Sequence, residues 1–353
     1  MDPIKDSMDT TLPRQSPHQV TIVVAPRERF GIARDSLTSL FDLPGAAFDL
    51  VYVDGGGPHE LARWLEQQSQ ALGFRLIRTE HFLSPNEARN LGLRATTTPY
   101  VAFVDNDVIC KPGWLAALLT CANETGADVV TPLTCQGLPL HSTVHHAGGR
   151  FCDDLGTFFD APRGERTIAE VLHGQGQPVA SLAGLLDRGE TQFCEFHCVL
   201  IRRAIFERIG PLDEALLATR EHLDLSLCVL QAGGRIMLEP AALVTYLFPT
   251  RSRPIEAADW PYFMVRWSAD WQRRSLRRFE SKWGLQPNLR FAHRHWLGWR
   301  HYEGLVKPLL RRVPWATRHP RMRWFFGAVL ARSFEQVSRL LVAREDRRRR
   351  LLA

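Results

Sequence analysis

Long apolar runs are missing from this chain of 353 residues. None approaches the ~18–20 consecutive apolar residues that cross a bilayer, which excludes a helical channel or transporter. Residues 1–18 lack the apolar core of a secretory leader and read as a disordered lead-in. Cysteine is sparse: the seven are scattered, odd in number and never in CxxC spacing. That excludes a disulfide scaffold and a zinc ribbon, and points to free thiols in a reducing compartment. These absences predict a cytoplasmic protein.

What is present is an ordinary soluble composition, 45% apolar and 23% charged, in a chain long enough for two structural units. The net charge of +6 hides an asymmetry. From Arg251 to the end there are 24 Lys and Arg against 8 Asp and Glu, a balance of +16, so the preceding residues hold 20 against 30, or −10. Eight of the ten Trp also lie after Arg251. The composition therefore divides an acidic unit, 19–250, from a basic, Trp-rich unit, 251–353.

The acidic unit alternates in period. Val20–Ala25 is an apolar strand candidate, and helical spacing follows from Ala33 to Phe41. Phe48–Val53 makes a second strand, and a helix from Pro58 stops near Gly73. Phe74–Ile77 is a third strand, and Pro85 opens the next helix. Tyr100–Val104 is another apolar run, followed by a helix from Pro112 toward Gly126 and by Asp128–Val130. Strand and helix in alternation predict an α/β fold with a mostly parallel sheet covered on both faces. Residues 136–190 lose this rhythm and read as an insertion or loops on the acceptor side. Regular structure returns at His197–Ile201, in a helix from Glu221 to Ala232, and in strands Arg235–Leu238 and Ala242–Tyr246.

Polar groups gather at the carboxyl ends of these strands, where open α/β sheets bind ligands. Pro26, Arg27 and Glu28 end the first strand, Asp54 the second, and Asp105, Asn106 and Asp107 a later one. Side chains two apart on a strand share a face, so Asp105 and Asp107 would converge on one volume and hold Mg2+ or Mn2+. Asp54 stands where a carboxylate accepts from a uracil N–H or a ribose hydroxyl. Arg89 and Asn90 lie on the helix leading into the acidic strand, where Arg89 would meet phosphate oxygens or Asp105. Glu221 and Asp224 are three apart on a helix and share a face, which suits a general base for a hydroxyl acceptor.

The order of these segments resembles the family 2 glycosyltransferases of GT-A fold. It is carried by Val23–Arg29, Val53–Gly56, Asn86–Gly92, Phe103–Asp107, Ile209–Glu214 and Glu221–Asp224, across about residues 20–248. The resemblance implies a GT-A sheet and inverting transfer from a nucleotide-diphosphate-sugar, a UDP-sugar first, to a glycan or lipid-linked acceptor. It implies Asp54 on the base, Arg89 and Asn90 around the nucleotide, Asp105 on ribose or sugar, and Asp107 on the metal. Two departures stand out. The second acid of the family's usual pair is His222 here, so the base is sought in the order Glu221, Asp224, His222. Several relatives carry a metal-binding His after the last strand, and here that place holds Tyr246. His145 and His146 could reach the site from the insertion, Asp153, Asp154 and Asp160 read as loop surface, and Glu195 and His197 face the acceptor side. The rival readings are a nucleotidyltransferase, which would want a Gly-rich loop after the first strand, and a non-catalytic sugar-binding scaffold.

In the basic unit, Phe263, Trp267, Trp271, Phe279 and Trp283 recur at helical spacing among Arg273, Arg274, Arg277 and Arg278. Trp324 to Val342 is apolar at every third or fourth position and runs into Arg347–Arg350. Two readings follow: peripheral contact with the inner membrane face, or aromatic packing on the acidic unit with solvated arginines. Nucleic-acid binding is disfavoured because no recognised module is present.

Overall fold

The computed structural model describes residues 18–41, 46–151, 154–248, 254–286, 300–313 and 319–352. The expected lead-in, except His18, and Asp153 lie outside these residues. The strands are β1 (Val20–Ala25), β2 (Asp49–Gly55), β3 (Arg75–Thr79), β4 (Tyr100–Asp105), β5 (Val108–Cys110) and β6 (Val129–Gln136). They continue with β7 (Val144–His146), β8 (Gly149–Phe151), β9 (Glu170–Leu172), β10 (Gly189–Glu190), β11 (Cys198–Arg202) and β12 (Ile236–Tyr246). The helices are α1 (Ala33–Phe41), α2 (His59–Leu72), α3 (Pro85–Arg94), α4 (Trp114–Thr125), α5 (Leu155–Asp160) and α6 (Ile205–Ile209). The remainder are α7 (Glu221–Gln231), α8 (Trp260–Arg266), α9 (Ala269–Trp283), α10 (Lys307–Arg311) and α11 (Pro320–Leu352).

One sheet dominates, in the order β10-β12-β6-β11-β4-β1-β2-β3. Strands β1, β2, β3 and β4 pair in parallel, as do β6 and β12, while β11 runs antiparallel to both β4 and β6. This places the carboxyl ends of β1, β2, β4 and β12 on one edge. Because β11 is reversed, its beginning arrives at that same edge and brings His197 with it. The alternation of each strand feeds two cores. Val20, Ile22, Val24, Ala102 and Val104 pack with α1, α2 and α4, and Val23, Ala25, Val101 and Phe103 pack with α3 and α7. Both faces are covered, as the near-continuous apolar runs predict.

Three local features set the site. A Cβ on Gly92 would lie 2.1 Å from Val23 Cγ1, so only glycine lets α3 ride this close to β1. The N-terminus of α3 is fixed by a capping box between Ser84 and Glu87. The two strands expected at the end of the acidic unit are one, β12, whose register shifts between Glu239 and Leu243. Pro240 lies in that shift, where the missing N–H costs the ladder nothing.

The insertion is more ordered than its composition suggests. β7 pairs with β6, and β8 pairs with β9, which carries Glu170.

The basic segment is helical and packs on the acidic one. Trp271 and Phe279 are fully buried and Trp283 nearly so. Tyr262 Oη donates to Leu83 O at 2.7 Å, and Ser275 Oγ accepts from Leu217 N at 2.9 Å and Ala218 N at 3.0 Å. Opposite charges meet across the contact: Arg266 with Glu28 at 3.4 Å, Arg278 with Asp213 at 2.8 Å, and Lys282 with Asp224 at 2.7 Å. Truncating a buried Trp or Phe costs about 3–5 kcal/mol. The half-exposed Arg278–Asp213 pair contributes about 1 kcal/mol or less, whereas Arg266 and Glu28 are both buried, so losing either would leave an uncompensated charge. The aromatics and this buried pair together hold the segments.

The arginine run is not wholly solvated. Arg349 pairs with Glu87 and donates to Phe82 O at 3.0 Å, and Arg348 donates to Glu80 O at 3.0 Å. The aromatic stripe of α8 and α9 faces protein, which removes it as a membrane-binding surface.

Candidate active site

Asp105 ends β4 on the face that carries Val101 and Phe103, so it points toward α3. Arg89 Nη2 meets Asp105 Oδ1 at 2.8 Å, and Arg27 Nη1 meets Asp105 Oδ2 at 2.8 Å. Burial alone would raise this carboxyl, but Arg89 and Arg27 outweigh it and hold Asp105 far below the usual range. Arg89 also lies 3.9 Å from the centroid of the Phe196 ring, and it is itself buried. Asn106 Oδ1 accepts from the Arg27 backbone N–H at 2.9 Å, which fixes the turn after β1. Glu28 stands between Arg27, at 3.7 Å, and Arg266. Of the residues that follow β1, Arg27 bonds to the acidic turn, Glu28 pairs with Arg27 and Arg266, and Arg29 donates instead to Leu247 O and Pro254 O.

Asp107 differs from its neighbour. It is buried, yet its Oδ1 has no hydrogen-bond partner among the described residues. Burial, reinforced by Asp105 and Glu28 and only partly opposed by Arg27, pushes this carboxyl well above the ordinary range. His197 Nδ1 stands 3.4 Å from Asp105 Oδ2 and has no hydrogen-bond partner among the described residues. Burial and Arg27 press His197 down to about 3 against the pull of Asp105, so its imidazole is neutral. Ligand atoms of Asp105, Asp107 and His197 lie within 4.8 Å of one another. Two orphaned donor atoms, one carboxylate oxygen and one neutral imidazole nitrogen, suit a divalent cation. His197 stacks on Tyr246 at 3.9 Å between centroids, and His145 meets both rings edge-on. His197, just before β11, thus stands beside Tyr246, which ends β12. His146 is turned away, buried against Phe193.

The expected nucleotide residues divide. Asp54 is buried, pairs with Arg78, and accepts from Gly57 N at 2.9 Å. A Cβ on Gly57 would lie 2.4 Å from that oxygen, so the loop after β2 wraps the carboxylate tightly. Burial raises Asp54, and Arg78 opposes the rise. Asn90 is spent on structure: it donates to Leu212 O at 2.8 Å and Glu214 Oε1 at 2.9 Å, and accepts from Leu212 N at 3.0 Å. Asn90 therefore ties α3 to the 212–214 loop and is not among the residues lining the cleft described below.

A cleft of about 240 Å³ opens beside the acidic turn. Arg27, Arg89, His197 and Tyr246 line its inner wall, Glu170 and His145 its insertion side, and Glu221 and His222 its floor. Arg266, Trp267 and Arg300 from the basic segment close it. Of the three base candidates, Glu221 and His222 face this cleft and Asp224 does not. Asp224 Oδ1 accepts from Trp283 Nε1 at 2.8 Å and Oδ2 from Lys282 Nζ at 2.7 Å, so it anchors α9. A spacing of three put it on the Glu221 side of α7, but the second helix claimed it. Glu221 Oε1 is buried with no hydrogen-bond partner among the described residues. Glu195 also lines the cleft.

Sequence reasoning missed Glu170, Arg78, Arg266 and Trp267. Arg266 and Trp267 sit in the recognised aromatic stripe and were accessible as a signal. Glu170 was not, since nothing in an irregular insertion says which acid turns inward.

Residues 21–139 match the family model Glycosyl transferase family 2. The chain is 28% identical over 248 residues to Pre-mycofactocin glycosyltransferase of Mycobacterium tuberculosis, covering 67% of this chain and 44% of that one. It is 22% identical over 285 residues to Polypeptide N-acetylgalactosaminyltransferase 3 of Drosophila melanogaster, covering 72% of this chain and 41% of that one. The chain thus spans under half the length of these curated relatives. The crystal structure of GalNAc-T7 with UDP, GalNAc and Mn2+ superposes with a TM-score of 0.51 at 13% identity, over 72% of this chain and 49% of that one.

Proposed function

We propose that this chain, whose residues 21–139 match the family 2 glycosyltransferase model and whose sheet superposes on a GT-A structure, transfers a sugar from a nucleoside-diphosphate-sugar to a hydroxyl acceptor. The observation that carries this reading is the buried Asp107 beside Asp105, with an unsatisfied oxygen and within 4.8 Å of His197, which lines the cleft. Asp107 and His197, with Asp105 behind them, would hold Mg2+ or Mn2+; a bound cation supplies charge that stabilises a departing diphosphate. Arg27 and Arg89 bracket the same place and offer guanidinium groups to phosphate oxygens. Asp54, with Arg78, would meet the base of a UDP-sugar. Glu221 or His222 would take the acceptor's proton, with inverting geometry. The cleft's closure by Trp267 suits a sugar ring. The scaffold rival keeps this pocket without turnover, and the nucleotidyltransferase rival lacks its Gly-rich loop, since Ala25-Pro26-Arg27-Glu28 follows β1.

Thermal unfolding tests the donor site. UDP and Mn2+ together, at about 100 times the Kd, should raise stability by about 2.7 kcal/mol. UDP without the cation should do markedly less. A protein indifferent to both sinks the reading.

We propose that peripheral membrane contact is made through α11. Met322, Phe325, Val329 and Leu340 repeat at spacings of three, four and eleven, and all are exposed, Phe325 by 54% and Leu340 by 72%. Such spacings share one helix face, and exposed Arg321, Arg332, Arg339 and Arg350 flank it. No described helix is long and apolar enough to cross a membrane. The chain should therefore sediment with phosphatidylglycerol vesicles and not with phosphatidylcholine ones, and Phe325→Glu with Leu340→Glu should abolish this. Equal sedimentation with both lipids would remove an anionic inner leaflet as the partner.

A further inference from the structure

His222 lies in the first turn of α7 in an unusual setting. Arg220, the residue before that helix, takes φ of 70°, a left-handed conformation that is strained for a residue bearing a side chain. Its guanidinium reaches Glu170 Oε1 at 3.3 Å. The other oxygen of Glu170 lies 3.5 Å from His222 Nε2, and Glu195 Oε1 lies 3.6 Å from the same nitrogen. The imidazole is thus gripped between two acids, one from the insertion and one from the approach to β11, at the floor of the cleft.

We propose that His222 is the general base of the transfer and that Glu170 is its positioning residue, with the insertion present to deliver it. This rests on the glycosyltransferase reading and reverses the order in which the sequence ranks the base candidates. With Nε2–H turned to Glu170, the lone pair is on Nδ1. Nδ1 takes the proton of the acceptor hydroxyl as its oxygen bonds to the anomeric carbon. The bond from that carbon to the diphosphate oxygen breaks, and its electron pair leaves with the diphosphate. The imidazolium so formed is balanced by Glu170 and Glu195. The charged groups around the ring agree. Burial pulls His222 down, and Arg220 with it, but Glu195 and Glu170 prevail and raise it above its ordinary value. His145 and His146, on the neighbouring strand, are both pressed down by burial and stay neutral. Burial opposes ionisation of Glu170, yet His222 and Arg220 hold it at about 2, so its charge persists across the working range.

The test uses the full chain with Mn2+ and a panel of UDP-glucose, UDP-galactose and their N-acetyl forms. UDP release to water is followed from pH 5 to 9, and UDP binding is measured by calorimetry. His222→Asn should lower the turnover number by roughly 10²–10⁴-fold with the UDP Kd unchanged. Glu170→Gln should move the acidic limb of the pH profile downward, because the imidazole loses its anionic partner, and should lower the plateau. Wild-type turnover by His222→Asn, or an unmoved limb in Glu170→Gln, overturns the proposal while UDP binding stands. Loss of UDP binding in the wild type instead overturns the glycosyltransferase reading, and a wild type that binds UDP without turning over any donor overturns both.

Discussion

Asp107→Asn should abolish cation-dependent donor turnover, by about 10³-fold or more, while making the cation-free protein more stable. The first effect follows from charge. A cation at a departing diphosphate contributes several kcal/mol to the transition state, and about 4 kcal/mol corresponds to a factor near 10³. The second follows from linkage. A carboxyl whose folded pKa lies above its unfolded value destabilises the fold as pH rises through the folded value, and this cost vanishes at low pH. Burial raises Asp107 in this way, so the wild type without cation should lose stability as pH climbs, and Asp107→Asn should not. Mn2+ should restore the wild type and leave the variant unmoved. Melting curves at several pH values with and without Mn2+ read both effects. An Asn variant that is less stable than wild type at high pH, or that still responds to Mn2+, would contradict the account.

Arg89→Met should cost stability rather than only activity, by about 3–5 kcal/mol. Its guanidinium is buried and holds one oxygen of Asp105, which is itself inaccessible to solvent. Removing one partner of a buried pair leaves an uncompensated charge, which is the expensive case. Arg27 cannot fully replace it, because Arg27 already holds the other oxygen. Asp105→Asn combined with Arg89→Met should recover a good part of the loss, since the orphaned charge goes too. Urea midpoints at constant slope measure this. If the double variant is as unstable as the sum of its singles, the pair is not what stabilises this edge.

These two neighbours show how unequal the acids of one motif can be. From spacing alone, Asp105 and Asp107 look equivalent and both suit a cation. In the fold, α3 and the turn after β1 each bring an arginine to Asp105 and none to Asp107, so only the second is left with an unsatisfied oxygen. Asp224 teaches the same from the other direction. Its place on α7 was readable, but its partners, Lys282 and Trp283, arrive from a helix nearly sixty residues away.

The sequence by itself determined the strand edges, the acidic turn, the alternating sheet and the basic, aromatic tail, because each rests on local period and on residues close in the chain. Only the tertiary structure decided which charges are spent on one another, that His197 stands beside Tyr246, and that Glu170 turns toward His222. Pairings of this kind depend on the approach of distant segments, and desolvation, which sets the charge state of every group in the cleft, is a property of the packed whole.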